Sequence, residues 1–187
     1  MCLNNVKKSY MDIYFIRHTK VAVPAGTCYG RTDVPLLDSF EEEAEAVRRQ
    51  LEGLTFEAVY SSPLTRARRL AAYCGYPDAT VDARVCEMDF GLWEMQPFDR
   101  LYAEDARFAV WCDNYLTAST PEGEGVADVT GRLSSFINEK IRMHTGPIAV
   151  FCHGGILALA RILLGGISPE ESFKNIPPYG SVIHLVV

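Results

Sequence analysis

An arginine and a histidine stand side by side at Arg17-His18, where an apolar run of the sequence ends. A guanidinium can bind two phosphate oxygens at once, and a neutral imidazole is nucleophilic near neutral pH. Two later segments carry the same residue types, because Arg66 ends a Ser-Ser-Pro-Leu-Thr-Arg sequence and His153 precedes two glycines. In a chain with a formal net charge of −6, basic groups that converge would indicate a specific anion site.

A carboxylate that could complete such a site is Glu87. Aromatic residues and a glycine follow it in the segment that ends at Glu94. Apolar surroundings favour the protonated form of a carboxyl group, which can then donate its proton to a leaving oxygen. On spacing alone, Asp89 and Glu94 are rival candidates for this role.

The elements that must position these residues alternate between strands and helices. Short apolar runs predict strands over residues 12–17, 57–61 and 147–152, and each basic segment begins where one of these strands ends. In α/β sheets, ligands bind at the carboxyl ends of the parallel strands. We therefore expect the two arginines and the two histidines to meet at one edge of the sheet.

The rest of the pattern predicts the layers around that sheet. Alternating strands and helices favour a three-layer α/β/α sandwich with a mostly parallel central sheet. Capping residues and helical periodicity mark the helices. Helices are predicted to begin at Asp38 or Ser39, at Ser62-Pro63, within residues 98–116, at Gly125 and at Gly154, with further strands over residues 80–85 and 181–187.

Length and composition predict the domain organisation. In this chain of 187 residues, 48% of them hydrophobic, residues 11–187 are expected to form one domain. Residues 1–10 are expected to be a flexible leader that is too polar for a signal peptide, and Met11 could be the true start. The apolar run over residues 156–167 contains Arg161 and is too short to span a bilayer. The acidic balance argues against binding to nucleic acid or to anionic membranes.

Six cysteines are scattered along the chain without a C-x-x-C pair. This spacing favours reduced thiols in a cytoplasmic protein over a zinc site or a disulfide framework. Cys28 and Cys152 fall near the predicted anion site, but no separate base is evident for either, so we expect both thiols to serve packing.

Four segments, in family order, resemble the motifs of the histidine phosphatases, the superfamily that includes the cofactor-dependent phosphoglycerate mutases. Arg17-His18-Thr19 is similar to R-H-G/T, residues 61–67 to S-S-P-L-x-R-A, residues 87–94 to E-x-x-x-G-x-W-E and residues 153–155 to H-G-G. The resemblance implies a phosphoglycerate mutase-like fold and phosphoryl transfer through a phosphohistidine.

The resemblance also implies a role for each candidate residue. His18 would be the nucleophile, while Arg17, Arg66 and His153 would bind the phosphoryl oxygens and stabilise the transition state. Glu87 would protonate the departing alcohol and then activate water. No metal or organic cofactor would be needed, because the arginines and histidines supply the positive charge.

The first loop resembles one subfamily more closely. Residues 26–36 are similar to the G-x-C-Y-G-x-x-D-x-P-L segment of α-ribazole phosphatases, which remove phosphate from α-ribazole 5′-phosphate during cobalamin assembly. The chain departs from the superfamily pattern where Thr19 replaces a common glycine, where Val23-Pro24 replaces an asparagine, and where Met95 replaces a glycine. Four residues of the matched segments are expected to contact the substrate: Thr19, Tyr29, Gly30 and Gly154.

These motifs favour a cytoplasmic phosphomonoesterase with α-ribazole 5′-phosphate as its substrate. The alternatives are a broad-specificity histidine phosphatase, a cofactor-dependent phosphoglycerate mutase, and a non-catalytic phosphate-binding module. The expected partner is a phosphorylated small molecule, with neither nucleic acid nor membrane, and the chain is expected to be a monomer or a homodimer.

Overall fold

In the computed structural model, residues 11–187 are described, and the predicted leader over residues 1–10 lies outside the described residues. Five strands form one sheet in the order β3-β2-β4-β1-β5. The strands are β1 (Asp12–Arg17), β2 (Ala58–Ser61), β3 (Thr80–Val81), β4 (Ile148–Cys152) and β5 (Val182–Val186). The helices are α1 (Phe40–Gln50), α2 (Thr65–Tyr73), α3 (Phe98–Glu104), α4 (Ala106–Asn114), α5 (Val126–Met143), α6 (Gly154–Gly165) and α7 (Pro169–Lys174).

The register of the sheet aligns the ends of three parallel strands. Arg17 at the end of β1 lies opposite Cys152 at the end of β4, and Ser61 at the end of β2 lies opposite Phe151. Only β5 is antiparallel, so the sheet is mostly parallel as predicted. The segments that follow β1, β2 and β4 therefore leave the sheet along one edge.

Helices cover both faces of the sheet, which confirms the predicted three layers. Alternate residues of β1 point to opposite faces, as the two-residue period of a strand requires. Ile16 packs with α1 and α2 on one face, whereas Ile13 and Phe15 pack with α5 and α6 on the other. Each of these three side chains is fully buried.

Helix α2 begins at Thr65, three residues after the Ser62 that we predicted as its cap. The cap comes from a distant residue: Asp33 accepts hydrogen bonds from the backbone N–H of Thr65 (2.9 Å) and from its hydroxyl (2.6 Å). The hydroxyl of Ser62 is bound to His153 instead. A helix cap supplied 32 residues away cannot be recognised from local sequence.

Two further elements differ from the prediction in their bounds, and one helix was not predicted. The strand expected over residues 80–85 shortens to β3, because Asp82 caps a 3₁₀ turn over Ala83–Val85. The helix expected within residues 98–116 is broken at Asp105, whose side chain caps α4. Helix α7 was not predicted, although Ser168-Pro169 is a good helix start and the Ser168 side chain does cap it.

Among the described residues, no helix is both long and apolar enough to cross a membrane. The five cysteines from Cys28 to Cys152 are free thiols in the structure, and Cys2 lies outside the described residues. Burial raises the pKa of Cys28 to about 12 and also raises that of Cys152. Neither thiol is therefore activated as a nucleophile, as their predicted packing role requires.

Met95 provides a test of backbone strain. It has a φ of 63°, in the left-handed region. Because the residue is 42% exposed, removing its side chain costs the protein little packing. We expect Met95→Gly to raise the free energy of unfolding by about 1 kcal/mol, measured by urea denaturation. Gly53 is the matched control, with a φ of 80° and open space around it. Gly53→Ala should lower the same quantity, and a destabilising Met95→Gly would contradict this account.

Candidate active site

The predicted basic residues do converge at the edge where the parallel strands end. His18 follows β1 and still donates its backbone N–H to the carbonyl of Cys152 (3.1 Å). His153 is the residue before α6, and Arg66 lies in the first turn of α2. The rings of His18 and His153 are 5.2 Å apart, and both histidines and Arg66 are buried. Arg17, at the end of β1, is half-buried beside them.

The tautomer of His18 leaves one nitrogen available for attack. Its Nδ1 lies 2.7 Å from the carbonyl oxygen of Thr19, and a carbonyl can only accept, so Nδ1 carries the proton. Nε2 therefore bears the lone pair. Burial, followed by the charges of Arg66 and Arg17, lowers the pKa of His18 to about 3. The ring is consequently neutral and nucleophilic at physiological pH.

Arg66 is held by three different acceptors. Its Nε donates to Nδ1 of His153 (3.3 Å), Nη1 donates to the carbonyl of Thr32 (2.8 Å), and Nη2 donates to the carbonyl of Gly30. Among the described residues, no carboxylate forms an ion pair with Arg66, although the guanidinium is completely buried. The charge of Arg66 is thus left for an anion to neutralise.

His153 is connected to both sides of the site. Because Nδ1 accepts from Arg66, Nε2 carries the proton and donates to the hydroxyl of Ser62 (2.7 Å). Burial lowers the pKa of His153 well below its ordinary value, and the charges of His18, Arg66, Arg132 and Arg17 add to this effect.

The Nε–H of Arg17 has no hydrogen-bond acceptor among the described residues. Its Nη1 donates to the carbonyl of Pro177, and its Cζ lies 4.1 Å from the centre of the Tyr179 ring. Its Nε is buried without a hydrogen-bond partner. Gly154 permits this packing, because a Cβ there would lie 2.9 Å from Cζ of Arg17. An unpaired buried N–H beside His18 is suited to a phosphoryl oxygen.

Of the three rival carboxylates, Glu87 is the one that shares a cavity with His18. Its Oε2 accepts from the N–H of Gly155 (3.0 Å) at the start of α6, and Oε1 accepts from the N–H of Met88 (3.0 Å). A Cβ on Gly155 would overlap Oε1, so the glycine is required for this approach. Asp89 instead accepts from the N–H of Gly91 (2.8 Å) and closes a turn.

Glu94, the third rival, stabilises the first loop through hydrogen bonds. Its Oε2 accepts hydrogen bonds from the N–H groups of Gly30 (3.0 Å) and Thr32 (3.2 Å) and from the hydroxyl of Thr32 (2.6 Å), and its Oε1 accepts from the N–H of Arg31 (2.9 Å), all in the first loop. Burial disfavours its charge, but these bonds outweigh that effect and hold the pKa of Glu94 below its ordinary value. Since the carbonyls of Gly30 and Thr32 bind Arg66, Glu94 positions that guanidinium indirectly.

The four expected substrate contacts divide into two pairs. Tyr29 and Gly154 line the cavity beside His18. Thr19 and Gly30 are buried, and their observed roles are to accept from His18 and Arg66 through backbone carbonyls. The hydroxyl of Thr19 is buried without a partner. Direct contact of any of the four with substrate stays a prediction.

The cavity has a volume of about 630 Å³, with one polar end and largely apolar walls. Arg17, His18 and Glu87 form its polar end. The walls away from that end are largely aliphatic and aromatic, and they come from the first loop, from the middle of the chain and from the segment around α7. These wall residues include Val21, Val23, Pro24, Leu37, Phe90, Phe98, Trp111, Tyr115, Val126, Phe173 and Ile176.

Sequence reasoning missed Tyr179, which touches three parts of the site. Besides its contact with Arg17, its ring lies 5.5 Å from that of His18, and its hydroxyl lies 2.7 Å from the hydroxyl of Tyr29. The residue precedes β5, and only the antiparallel direction of that strand brings it to this edge. No local signal in the sequence specified that direction.

Comparison with known proteins agrees with this geometry. The family described as histidine phosphatase superfamily (branch 1) matches residues 13–187. An adenosylcobalamin/alpha-ribazole phosphatase of Escherichia coli K12 is 30% identical over 167 residues, covering 86% of this chain and 82% of its own length. The crystal structure of the alpha-ribazole phosphatase from Shigella flexneri is 26% identical with a TM-score of 0.81, covering 93% and 89%. A mycobacterial glucosyl-3-phosphoglycerate phosphatase has a TM-score of 0.83 at 21% identity, covering 95% and 90%, and so shares the fold.

The lowered pKa of His18 predicts how stability depends on pH. Its ordinary pKa is 6.5 and its folded value about 3, so at pH 5 the unfolded chain binds a proton there that the native protein does not. Stability should therefore fall as the pH drops below 6.5, and His18 alone should cost about 2 kcal/mol at pH 5.

We expect His18→Gln to reduce this loss between pH 7.5 and pH 5, measured as the free energy of unfolding in urea. His184 is the control, because it is partly exposed and paired with Asp12 at the far end of β1. His184→Gln should keep the wild-type dependence. An unchanged acid slope in His18→Gln would show that His18 is not the group responsible.

Proposed function

The chain belongs to the histidine phosphatase superfamily, and on that premise we propose that it hydrolyses a phosphomonoester through a phosphohistidine on His18. The observation that carries the proposal is the free Nε2 of a buried, neutral His18 beside two guanidinium groups that form no ion pair with a carboxylate within residues 11–187. We further propose α-ribazole 5′-phosphate as the best single substrate, and the cytoplasm as the site of the reaction.

The first half of the reaction forms a bond between His18 and phosphorus. The Nε2 lone pair attacks in line, and the P–O bond breaks with its electron pair moving to the leaving oxygen. Glu87 gives that oxygen a proton, so that a neutral alcohol departs. Arg17 and Arg66 bind the phosphoryl oxygens and stabilise their charge in the transition state. His153 joins as a donor when it is protonated; burial first and then the neighbouring cations disfavour that protonation, and the phosphate dianion offsets the cations.

The second half returns the enzyme to its starting state. Glu87, now ionised, accepts a proton from water, and the resulting hydroxide equivalent attacks phosphorus. The P–N bond breaks, its electrons return to Nε2 of His18, and inorganic phosphate leaves. The N–H of Gly155 and that of Met88 hold the Glu87 carboxylate in one place for both proton transfers.

The apolar cavity supports the choice of substrate. α-Ribazole carries a flat aromatic base on its ribose, and aromatic walls beyond the phosphate end favour such a leaving group. The relatives from Escherichia coli and Shigella flexneri carry the names of phosphatases for this compound. A phosphoglycerate would instead need a cation for its carboxylate, and Lys20, which also lines the cavity, is exposed, with its Nζ 3.7 Å from Oε1 of Glu43.

Substrate preference is tested by phosphate release from matched compounds. We expect kcat/KM for α-ribazole 5′-phosphate to exceed that for ribose 5-phosphate, which has the same ester without the aromatic base, by at least about 100-fold. Equal values would argue for a broad-specificity phosphatase. Efficient isomerisation of 3-phosphoglycerate with a bisphosphate primer, without net phosphate release, would establish the mutase reading instead.

The nucleophile is tested by alkaline-quench labelling of the enzyme with a ³²P-labelled monoester. We expect an acid-labile, alkali-stable phosphoryl group on wild type and none on His18→Ala, with the circular dichroism spectrum unchanged. His144→Ala is the control, because that histidine binds Tyr60 and Glu57 away from the cavity. Label retained by His18→Ala would reject the assignment, and its absence from wild type would favour a non-catalytic module.

The acid role of Glu87 predicts a dependence on the leaving group. Glu87→Gln keeps the hydrogen-bond acceptor for Gly155 but has no proton to give to the leaving oxygen. We expect kcat to fall by about 100-fold or more with alkyl phosphates and much less with p-nitrophenyl phosphate, whose leaving group needs no proton. Equal losses with both esters would contradict the role of Glu87 as the acid.

A further inference from the structure

We propose that Tyr179 is a positioning residue, which holds the Arg17 guanidinium so that its unpaired Nε–H faces the phosphoryl group. The inference rests on the proposed function for its catalytic readout, but it concerns a residue outside the motifs matched above. The loop that precedes β5 would accordingly be part of the active site.

Arg17 has few other restraints. Nη1 is bonded to the Pro177 carbonyl, and among the described residues no carboxylate forms an ion pair with this guanidinium. The Tyr179 ring, 4.1 Å from Cζ, stabilises the charge through its π-face without using any N–H. A carboxylate in that place would neutralise the cation, whereas the ring orients Arg17 and leaves its charge available for phosphate.

The backbone around Tyr179 is joined directly to the reactive dipeptide. Gly180 donates its N–H to the carbonyl of His18 (3.1 Å), and the N–H of Arg17 donates to the carbonyl of Ser181 (2.9 Å). Side chain and backbone of this loop thus contact both members of the Arg17-His18 pair. Tyr179 is fixed relative to the groups that we expect it to position.

The hydroxyl of Tyr179 connects this loop to the first loop. It lies 2.7 Å from the hydroxyl of Tyr29, and both rings line the cavity. Burial is the main cause that raises the pKa of Tyr29, so this hydroxyl is protonated and the pair can form a hydrogen bond. Ring and hydroxyl therefore have separable tasks: the ring orients Arg17, and the hydroxyl holds the two loops together.

Two substitutions separate these tasks. Tyr179→Leu removes the aromatic face and should weaken binding of orthovanadate, a phosphoryl-transfer mimic, by roughly tenfold. It should lower kcat/KM by a similar factor for every leaving group. Tyr179→Phe keeps the face and should bind vanadate within about threefold of wild type. If Leu and Phe have equal effects, the proposal is wrong.

A matched control is Tyr115, which lines the same cavity but packs on Trp111 and Phe173 rather than on Arg17. Tyr115→Leu should change KM for esters with large leaving groups while leaving the affinity for vanadate near that of wild type. A loss of vanadate affinity equal to that in Tyr179→Leu would mean that the effect comes from the cavity wall in general.

A double-mutant cycle tests whether Tyr179 acts through Arg17. In an Arg17→Ala background the ring has no guanidinium to orient, so adding Tyr179→Leu should weaken vanadate binding by less than about twofold. Additive losses would overturn the proposal, because they would mean that Tyr179 contacts the phosphoryl group itself.

The wild-type protein offers a measurement that does not depend on the folding of a variant. The Nε–H proton signal of Arg17, assigned by its loss in Arg17→Lys, should move downfield when inorganic phosphate binds and accepts its hydrogen bond. An unmoved signal, while Arg66 responds to phosphate, would refute the expected orientation of Arg17. This binding test is independent of catalysis, so an enzyme that forms no phosphohistidine could fail the proposed function and still pass here.

Discussion

The rest of this site depends on one constraint, a buried guanidinium that has no carboxylate partner in the part of the chain that the structure describes. Arg66 is completely removed from water, and an unpaired buried charge is costly unless its donors are satisfied. Two backbone carbonyls and His153 accept its hydrogen bonds, but none of them cancels its charge. The fold therefore maintains a positive potential that a phosphoryl group can neutralise, and this potential adds to burial, the main cause that lowers the pKa of His18.

The scaffold around Arg66 explains residues that touch no reacting atom. Glu94 binds the backbone of the first loop, and that loop presents the Gly30 and Thr32 carbonyls to Arg66. A Cβ at Gly30 would collide with the carbonyl of Met88, so the close approach requires glycine. Asp33, in the same loop, caps the helix that carries Arg66. The first loop therefore fixes both the backbone of Arg66, through the helix cap, and its guanidinium, through the two carbonyls. These contacts explain why several residues of the loop match the motif.

Polar and apolar side chains occupy different ends of one cavity. The polar end contains Arg17, His18 and Glu87, and the first two of these lie at the end of β1, which shares one register with β4. The apolar walls derive from the middle of the chain and from the segment around α7, where the sequence has no comparable periodicity. Substitutions in the walls can therefore change the shape of the apolar end without altering the polar end.

The amino-acid sequence by itself determined the layered fold and the convergence of Arg17, His18, Arg66 and His153, because apolar periodicity and the ends of parallel strands are local properties that imply a common edge. The same local reasoning could not choose among Glu87, Asp89 and Glu94, since all three lie within eight residues. Only the tertiary structure decided that Glu87 faces the cavity, that Glu94 holds the first loop, and that Tyr179 reaches Arg17. Those outcomes depend on the antiparallel direction of β5 and on hydrogen bonds between segments more than 60 residues apart, and such long-range contacts leave no periodic signal in the sequence.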